Sequence, residues 1–381
     1  MATNTSPEKL QKAKQYEKIH NILFVAELII SFAVLLIFIF SGLSQWLVDF
    51  IAPLSVNIWF KVFLYVLICY VSFSLIFFPL SFYSGYLLEH KFDLSNETKK
   101  MWFLDYAKSL GINILFLLIF AEVLHLFLRI SGNMWWIWAG MFWLLFGLVI
   151  SNLYPILILP IFYKVKPLEN EDLVERLMKL SESVKAKILG VFEMDMSRKS
   201  KKANAMFAGL GNTKRIILSD TLVSDYTPEE VEVILAHELG HFYYKHIIKL
   251  IAISTVSTFV GLYITNIALY SLCNLAGYSA ITDVAALPLF ALVLSIFGLA
   301  LMPISNTYSR KLEREADAFA LEKTNNPNAF IESMKKLASQ NLSNPEPNPI
   351  LEFILYSHPA ISKRIKMAEQ YKNQTRDCRL E

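Results

Sequence analysis

Cysteine and charge are both scarce in this 381-residue sequence. Its 3 cysteines, Cys69, Cys273 and Cys378, are too few and too scattered for a disulfide framework or a Cys-based zinc site. Charged residues make up 18% of the chain, and the net charge of +3 comes from dispersed basic residues, so nothing indicates nucleic acid as a partner. Any metal ion must therefore be bound by histidine and carboxylate side chains.

Long apolar runs, by contrast, are abundant, because 55% of the residues are hydrophobic. That composition is too apolar for a soluble protein of one or two domains and is typical of an integral membrane protein. Six runs are long enough to cross a bilayer as helices. They lie at about residues 22–40, 62–83, 111–128, 134–160, 247–272 and 285–304. The predicted fold is therefore a mainly α, polytopic membrane protein that contacts membrane lipid.

The distribution of lysine and arginine predicts the orientation of these spans. Nearly all basic residues lie in segments 1–20, 84–110, 161–246 and 307–381, which six spans would place on one side of the membrane. By the positive-inside rule that side is the cytoplasm, so both termini are expected there. A bacterial cytoplasmic membrane and a eukaryotic endoplasmic reticulum membrane both fit this orientation.

The same reasoning divides the chain into four parts. They are the N-terminal spans in 1–160, a cytoplasmic unit in 161–246, two further spans in 247–306 and a cytoplasmic C-terminal part in 307–381. Within the cytoplasmic unit, an amphipathic helix is predicted at 169–187. Short strands are predicted at 190–196, 204–210 and 215–219, which together indicate a small sheet.

A HELGH motif lies at the end of the cytoplasmic unit. A helix places residues four apart on one face, so His237 and His241 can direct two imidazoles at one metal ion, with Glu238 beside them. The local sequence supports a helix, because Thr227 and Glu230 form the pattern of a capping box. On this motif alone, the alternative is that the histidines and the glutamate serve polar packing near the membrane surface.

A third metal ligand is expected from the segment SRKLEREAD after the last span. Glu313 and Asp317 are four residues apart and share a helical face, whereas Glu315 points elsewhere. One of the two could bind the metal while the other supports the site. By periodicity alone, an ordinary charged helix with paired Arg and Glu side chains in solvent explains the segment equally well.

Together, HELGH, SRKLEREADAFA and Tyr356-Ser357-His358-Pro359 with Arg364 resemble the type I CAAX prenyl protease family of membrane zinc endopeptidases. The blocks EHKFDLSNETKKMWFLDYAKS, PIFYKVKPLENEDL and NAMFAGLGNTKRIILSDTLV resemble family segments in the same order. The resemblance covers roughly residues 80–370. It implies an α-helical membrane fold whose helices surround a large water-filled chamber, with the zinc site at its cytoplasmic end.

By motif, the resemblance implies that one zinc ion is bound by His237, His241 and Glu313 and that Glu238 is the catalytic glutamate. Asp317 matches the acidic residue of the family's EADxxA segment, where it is expected to orient a ligand or to act in proton transfer.

The resemblance also implies roles for residues outside the metal motif. His358 and Arg364 match the family's SHPxxxxR motif, whose His and Arg lie near the zinc. Asn204 and Ala205 match an Asn-Ala pair beside the substrate.

The sequence departs from the family pattern at several points. Lys202 and Met206 stand where a His and a Tyr are usual, and Arg314-Glu315 replace the commoner Tyr-Gln. Six spans are predicted, whereas the family usually has seven. These differences bear on substrate fit and topology and leave the expected metal chemistry unchanged.

The expected reaction is peptide-bond hydrolysis. Zinc held by three protein ligands keeps an open position for water and lowers its pKa, and Glu238 can pass the proton to the leaving amine. His358 is the candidate donor to the oxyanion, and Arg364 is expected to place it or the substrate. An extended substrate could pair as a strand beside residues 204–207.

The predicted function is thus a zinc endopeptidase that cleaves C-terminal peptides, prenylated or not, at the cytoplasmic face of a membrane. One alternative is a quality-control protease resembling the bacterial HtpX-type membrane zinc proteases, which are usually smaller. Another is a transporter or catalytically silent scaffold that uses the intramembrane residues Glu27, Glu122 and His125.

Overall fold

The computed structural model describes residues 7–209 and 214–377, so Cys378 lies outside the described residues. The described chain is predominantly helical. Its main helices are α1 (Pro7–Phe40), α2 (Leu43–Ile51), α3 (Ile58–Phe82), α4 (Lys99–Ile130), α5 (Trp135–Leu153), α6 (Glu171–Ser183), α7 (Asp220–Asp225), α8 (Pro228–Tyr243), α9 (His246–Ala276), α10 (Leu287–Thr324), α11 (Pro327–Gln340), α12 (Pro349–Leu355) and α13 (Ile361–Asp377).

Six helices within the described residues are long and apolar enough to cross a membrane, as the sequence predicts. They correspond to α1, α3, α4, α5, α9 and α10, with α3 and α5 prolonged by wider π-helical turns to Lys91 and Phe162. Helices α1, α4 and α10 extend well beyond their apolar runs, because their polar flanks remain helical. The N-terminal polar segment is thus helical from Pro7, and the last span continues to Thr324.

An additional apolar helical segment, Leu43–Leu54, joins the first two long helices. It is too short to cross a bilayer, which needs about 20 residues. Its Ser44 hydroxyl donates a hydrogen bond of 2.7 Å to the Ala285 carbonyl at the start of the last long helix. This segment therefore packs against the spans rather than forming a seventh one.

A four-stranded sheet lies between the fourth and fifth long helices of the sequence. Its strands are β1 (Val165–Pro167), β2 (Val191–Met194), β3 (Ala205–Ala208) and β4 (Arg215–Ser219). Their order is β1-β2-β4-β3, with β2 and β4 parallel and the other pairs antiparallel. The three predicted strands are confirmed for the described residues, and β1 is an addition that the sequence reasoning missed. Leu210, the last residue of the strand predicted at 204–210, lies outside the described residues.

The metal-motif helix α8 lies at the centre of a core that includes this sheet. Its capping box is present, with the Glu230 carboxylate accepting from the Thr227 amide at 2.8 Å. Its apolar face, including the fully buried Leu239, packs with Ile216 of β4 and Phe319 of α10. This core fixes α8 against both the sheet and the end of the last membrane-length helix.

The intramembrane histidine that the sequence singled out is a packing residue. His125 is buried, and its Nε2 lies 3.1 Å from the Thr282 carbonyl in the loop before α10. That contact ties α4 to the loop before α10 through a polar group, which is hydrogen-bonded packing of the kind found between membrane segments.

Candidate metal centre

The three predicted ligands converge at the junction of α8 and α10. His237 Nε2 lies 3.2 Å from His241 Nε2 and 3.2 Å from Glu313 Oε2, and His241 Nε2 lies 3.4 Å from Glu313 Oε1. Ligand atoms around a tetrahedral zinc ion lie about 3.3 to 3.4 Å apart, given metal–ligand distances near 2.0–2.1 Å. The spacing of the three side chains therefore fits a single ion of this size.

The proton arrangement of the three groups also fits a bound cation. His237 Nδ1 lies 2.8 Å from the Asp317 carboxylate, so this nitrogen carries the proton of a neutral ring and Nε2 presents a lone pair. Glu313 Oε2 is buried and has no hydrogen-bond donor. Lone pairs crowded around a buried carboxylate repel one another unless a positive ion lies between them. The donor set, two imidazoles and one carboxylate, suits zinc.

The carboxylate behind His237 belongs to a buried ion pair. Asp317 is fully buried and receives Arg364 Nε on Oδ2 at 2.8 Å and Arg364 Nη2 on Oδ1 at 2.5 Å. Although burial opposes the charge of Arg364, the Asp317 carboxylate raises the pKa of the guanidinium, which stays protonated. Asp317 therefore lies where it can orient a ligand, one of its two expected roles. Arg364 reaches the metal site through Asp317.

A glycine allows the two ligand-bearing helices to meet. A Cβ atom on Gly240 would lie only 3.0 Å from the Ala316 Cα and 3.3 Å from its Cβ. Gly240 directly precedes His241 in α8, and Ala316 lies between Glu313 and Asp317 in α10. The close approach of the two helices at these small residues therefore brings the predicted ligands of α8 and α10 together. The Gly in HELGH thus has a packing reason of its own.

Glu238 lies next to this cluster on α8. Its side chain is partly buried, and burial raises the pKa of its carboxyl group above the ordinary value. A carboxylate with a raised pKa is a better proton acceptor than an ordinary glutamate. Its position beside His237 and its burial suit a general base.

His358 approaches the metal site from the C-terminal part. Its Nε2 lies 3.4 Å from Glu313 Oε1, while 61% of its side chain is exposed, so it borders both the ligands and open space. The loop before it is held by Arg310, whose Nη1 donates to the Glu352 carbonyl at 2.8 Å and to the Tyr356 carbonyl at 2.6 Å. A buried arginine on α10 thereby fixes this histidine relative to Glu313 on the same helix.

The Asn-Ala pair lies at the free edge of the sheet. Among the described residues, β3 pairs only with β4, and its first residue is Ala205, directly after the exposed Asn204. Phe207 of the same strand packs against Phe242 of α8, with ring centroids 5.6 Å apart. This contact places the strand beside the metal helix.

Lys202, one of the departures from the family pattern, has well-defined partners in the structure. Lys202 Nζ lies 2.8 Å from Glu89 Oε2 and 3.0 Å from the Tyr16 hydroxyl. This lysine joins the segment just before β3 to α1 and to the end of the second span. The connection is made by the ammonium group at the end of the long lysine side chain.

Sequence reasoning missed three residues that support the site. Arg310 and His246 are buried, and Glu315 hydrogen-bonds to His246 with an Nε2–Oε2 distance of 3.0 Å. A signal was present for His246, because it lies five residues after His241, too close in sequence to be remote in space. The sequence contains no such signal for Arg310, because a buried arginine on a charged helix looks the same in sequence as an arginine exposed to solvent.

Comparisons with known proteins agree with this geometry. Residues 167–372 match the family model described as peptidase family M48, and residues 1–164 match one described as CAAX prenyl protease N-terminal, five membrane helices. In the described residues, that N-terminal region has four long helices and the short Leu43–Leu54 segment.

Several known proteins are similar to this one over most of the chain. A Bacillus subtilis protein described as the uncharacterized metalloprotease YhfN is 28% identical over 98% of this chain and 88% of its own length. CAAX prenyl protease 1 of Saccharomyces cerevisiae is 30% identical over 77% of this chain and 70% of its own length. The crystal structure of S. mikatae Ste24p superposes with a TM-score of 0.84, at 27% identity, over 96% of this chain and 90% of that one. The chain therefore belongs to peptidase family M48 and is a membrane metalloprotease.

Proposed function

We propose that this metalloprotease uses zinc to hydrolyse a peptide bond near the C-terminus of CAAX-type substrates, prenylated or not. The observation that carries the proposal is the cluster of His237, His241 and Glu313, whose ligand atoms all lie within 4.8 Å of one another. The substrate class is supported by the relatives named CAAX prenyl protease 1.

When bound, zinc supplies a Lewis acid that polarises the scissile carbonyl and makes water more acidic. The Glu238 carboxylate accepts the proton of the attacking water and delivers it to the leaving amine. Asp317 and Arg364 keep His237 in the tautomer that leaves Nε2 free for the metal.

His358 is proposed to stabilise the negative charge that develops on the carbonyl oxygen. Its exposure toward open space and its 3.4 Å separation from Glu313 support this role, because an oxyanion donor must reach both the substrate and the metal site. The arginine-held loop supports a fixed donor, which costs less reorganisation during the reaction than a mobile one.

The substrate is proposed to bind as an additional strand on β3. Ala205–Ala208 leaves one edge free among the described residues and lies beside the metal helix, which supports backbone pairing of an extended peptide. Exposed Asn204 would contact the same peptide at the strand's start. The distribution of basic residues supports a cytoplasmic orientation of this site.

The decisive experiment uses purified protein whose metal content is quantified. Cleavage of a farnesylated CAAX peptide is compared with cleavage of its unprenylated twin and of an unfolded protein, for wild type and Glu238→Gln. We expect Glu238→Gln to retain zinc and to lose cleavage by about 10²-fold or more. Equal cleavage by both would overturn the mechanism, and a preference for unfolded protein would replace the substrate proposal with quality control.

A further inference from the structure

The two histidine ligands are supported in different ways. His237 contacts the buried Asp317 directly, whereas His241 Nδ1 lies 2.9 Å from the Nδ1 of a third histidine, His246. His246 is fully buried and begins α9. Between α8 and α9 the backbone of Lys245 adopts a left-handed conformation with φ of 56°, and this turn places the His246 ring beside that of His241.

Only one arrangement of protons satisfies this contact in neutral rings. Two Nδ1 atoms can share a single hydrogen. His241 Nε2 faces the other ligands and must present a lone pair, so the hydrogen belongs to His241 Nδ1 and His246 Nδ1 accepts it. The proton of His246 is then on Nε2, which donates to Glu315 Oε2 at 3.0 Å.

The result is a directed chain of hydrogen bonds from His241 through His246 to Glu315. Its final carboxylate is 34% exposed and has two lysines nearby, Lys249 at 3.8 Å and Lys311 at 4.0 Å. The corresponding carboxylate behind His237 is fully buried and paired with arginine. One ligand is therefore supported from the protein interior, and the other through a relay that ends at the surface.

We infer that His246 and Glu315 are positioning residues for the metal site, which set the tautomer and orientation of His241 and strengthen its binding to the ion. Hydrogen bonds of this kind behind a ligand are worth about 10- to 100-fold in metal affinity. The inference rests on the three-residue metal site proposed above and is independent of the substrate.

The test measures metal binding rather than turnover. The full chain in detergent is stripped with a chelator and titrated with Zn²⁺ in competition with a chromophoric chelator, and separately with Co²⁺ to record its d–d absorption. The variants are His246→Phe, which keeps the ring volume, Glu315→Gln, which keeps an acceptor oxygen, and Glu315→Leu, which removes it. Lys311→Ala is the matched control, because it removes only a neighbouring charge.

We expect His246→Phe to weaken zinc binding by about 10- to 100-fold and to shift the Co²⁺ spectrum. Glu315→Leu should weaken binding more than Glu315→Gln, and Lys311→Ala should bind as wild type does. Since Glu315 is partly exposed, its two variants provide the test even where His246→Phe fails to fold.

Three outcomes are distinguishable. If wild type does not bind zinc at all, the proposed metal site is wrong. If wild type binds while both Glu315 variants have unchanged affinity and spectra, the relay is wrong and the metal site stands. If Lys311→Ala weakens zinc binding as much as Glu315→Leu does, the effect is explained by surface charge in general and the relay is wrong.

Discussion

The end of α10 near the metal site buries polar and charged side chains, whereas the long apolar helices leave most of their apolar side chains exposed. Near the metal site, Arg310, Glu313 and Asp317 are all buried. Arg310 donates to backbone carbonyls and Asp317 accepts from Arg364, whereas Glu313 Oε2 has no hydrogen-bond donor. Across the long apolar helices, most of the surface is exposed and apolar: only 6% of the most apolar window of the first span is buried. The last span, which carries the proposed metal ligand Glu313, has 44% of its window buried.

The two regions therefore differ in what stabilises them. Contiguous apolar surface of the extent seen on the six membrane-length helices is unstable in water, as expected of a multi-pass membrane protein. The metal centre instead depends on buried polar groups that must all keep their partners. Substitutions in the two regions should therefore have unequal effects, even where the residue types are the same.

The largest effect is expected from removing the carboxylate ligand. Glu313→Ala should lower bound metal to background and kcat/KM by more than about 1,000-fold, because the ion supplies several kcal/mol of transition-state stabilisation. Metal analysis and peptide cleavage measure both. Glu322→Ala, at an exposed position on the same helix, is the control and should retain metal and activity. Metal retained by Glu313→Ala would contradict the ligand assignment.

Breaking the buried ion pair should come next. Asp317→Ala leaves Arg364 charged without its partner and should destabilise the protein by about 3–5 kcal/mol, measured as a lowered unfolding midpoint in detergent. The double variant Asp317→Leu/Arg364→Leu should be less destabilised than the sum of Asp317→Leu and Arg364→Leu, each measured alone. Additive effects would show that the pair does not interact as the structure indicates.

Removing the proposed oxyanion donor should reduce catalysis without loss of metal. His358→Ala is expected to lower kcat by about 10²- to 10³-fold, as for the loss of one such donor elsewhere. Because His358 is largely exposed, its removal should leave the unfolding midpoint nearly unchanged. Ser357→Ala, which removes a hydroxyl 2.9 Å from His358 Nδ1, is the control and should have a much smaller effect. A large fall in metal content for His358→Ala would instead identify it as a ligand.

The sequence was informative wherever one periodic pattern decides the outcome. Apolar length predicted six spans, and spacing of four placed His237 and His241 on one helical face. Glu315 shows where this reasoning stops: it points away from the ligand face, as periodicity requires, yet it reaches the site through His246. That contact depends on the turn at Lys245, which no periodic pattern encodes.

The smallest expected effects on stability come from alanine substitutions of one glycine in each of the two regions. Gly240→Ala places a Cβ 3.0 Å from the Ala316 backbone and should cost about 1–3 kcal/mol, because neither helix can move without separating the ligands. Gly147→Ala in α5 meets no atom within 4 Å and should be neutral or stabilising by up to about 1 kcal/mol. Unfolding midpoints and zinc affinity are measured for both. Equal effects would mean that the metal-bearing end is no more tightly packed than the membrane-length helices, and would remove the physical basis of the contrast.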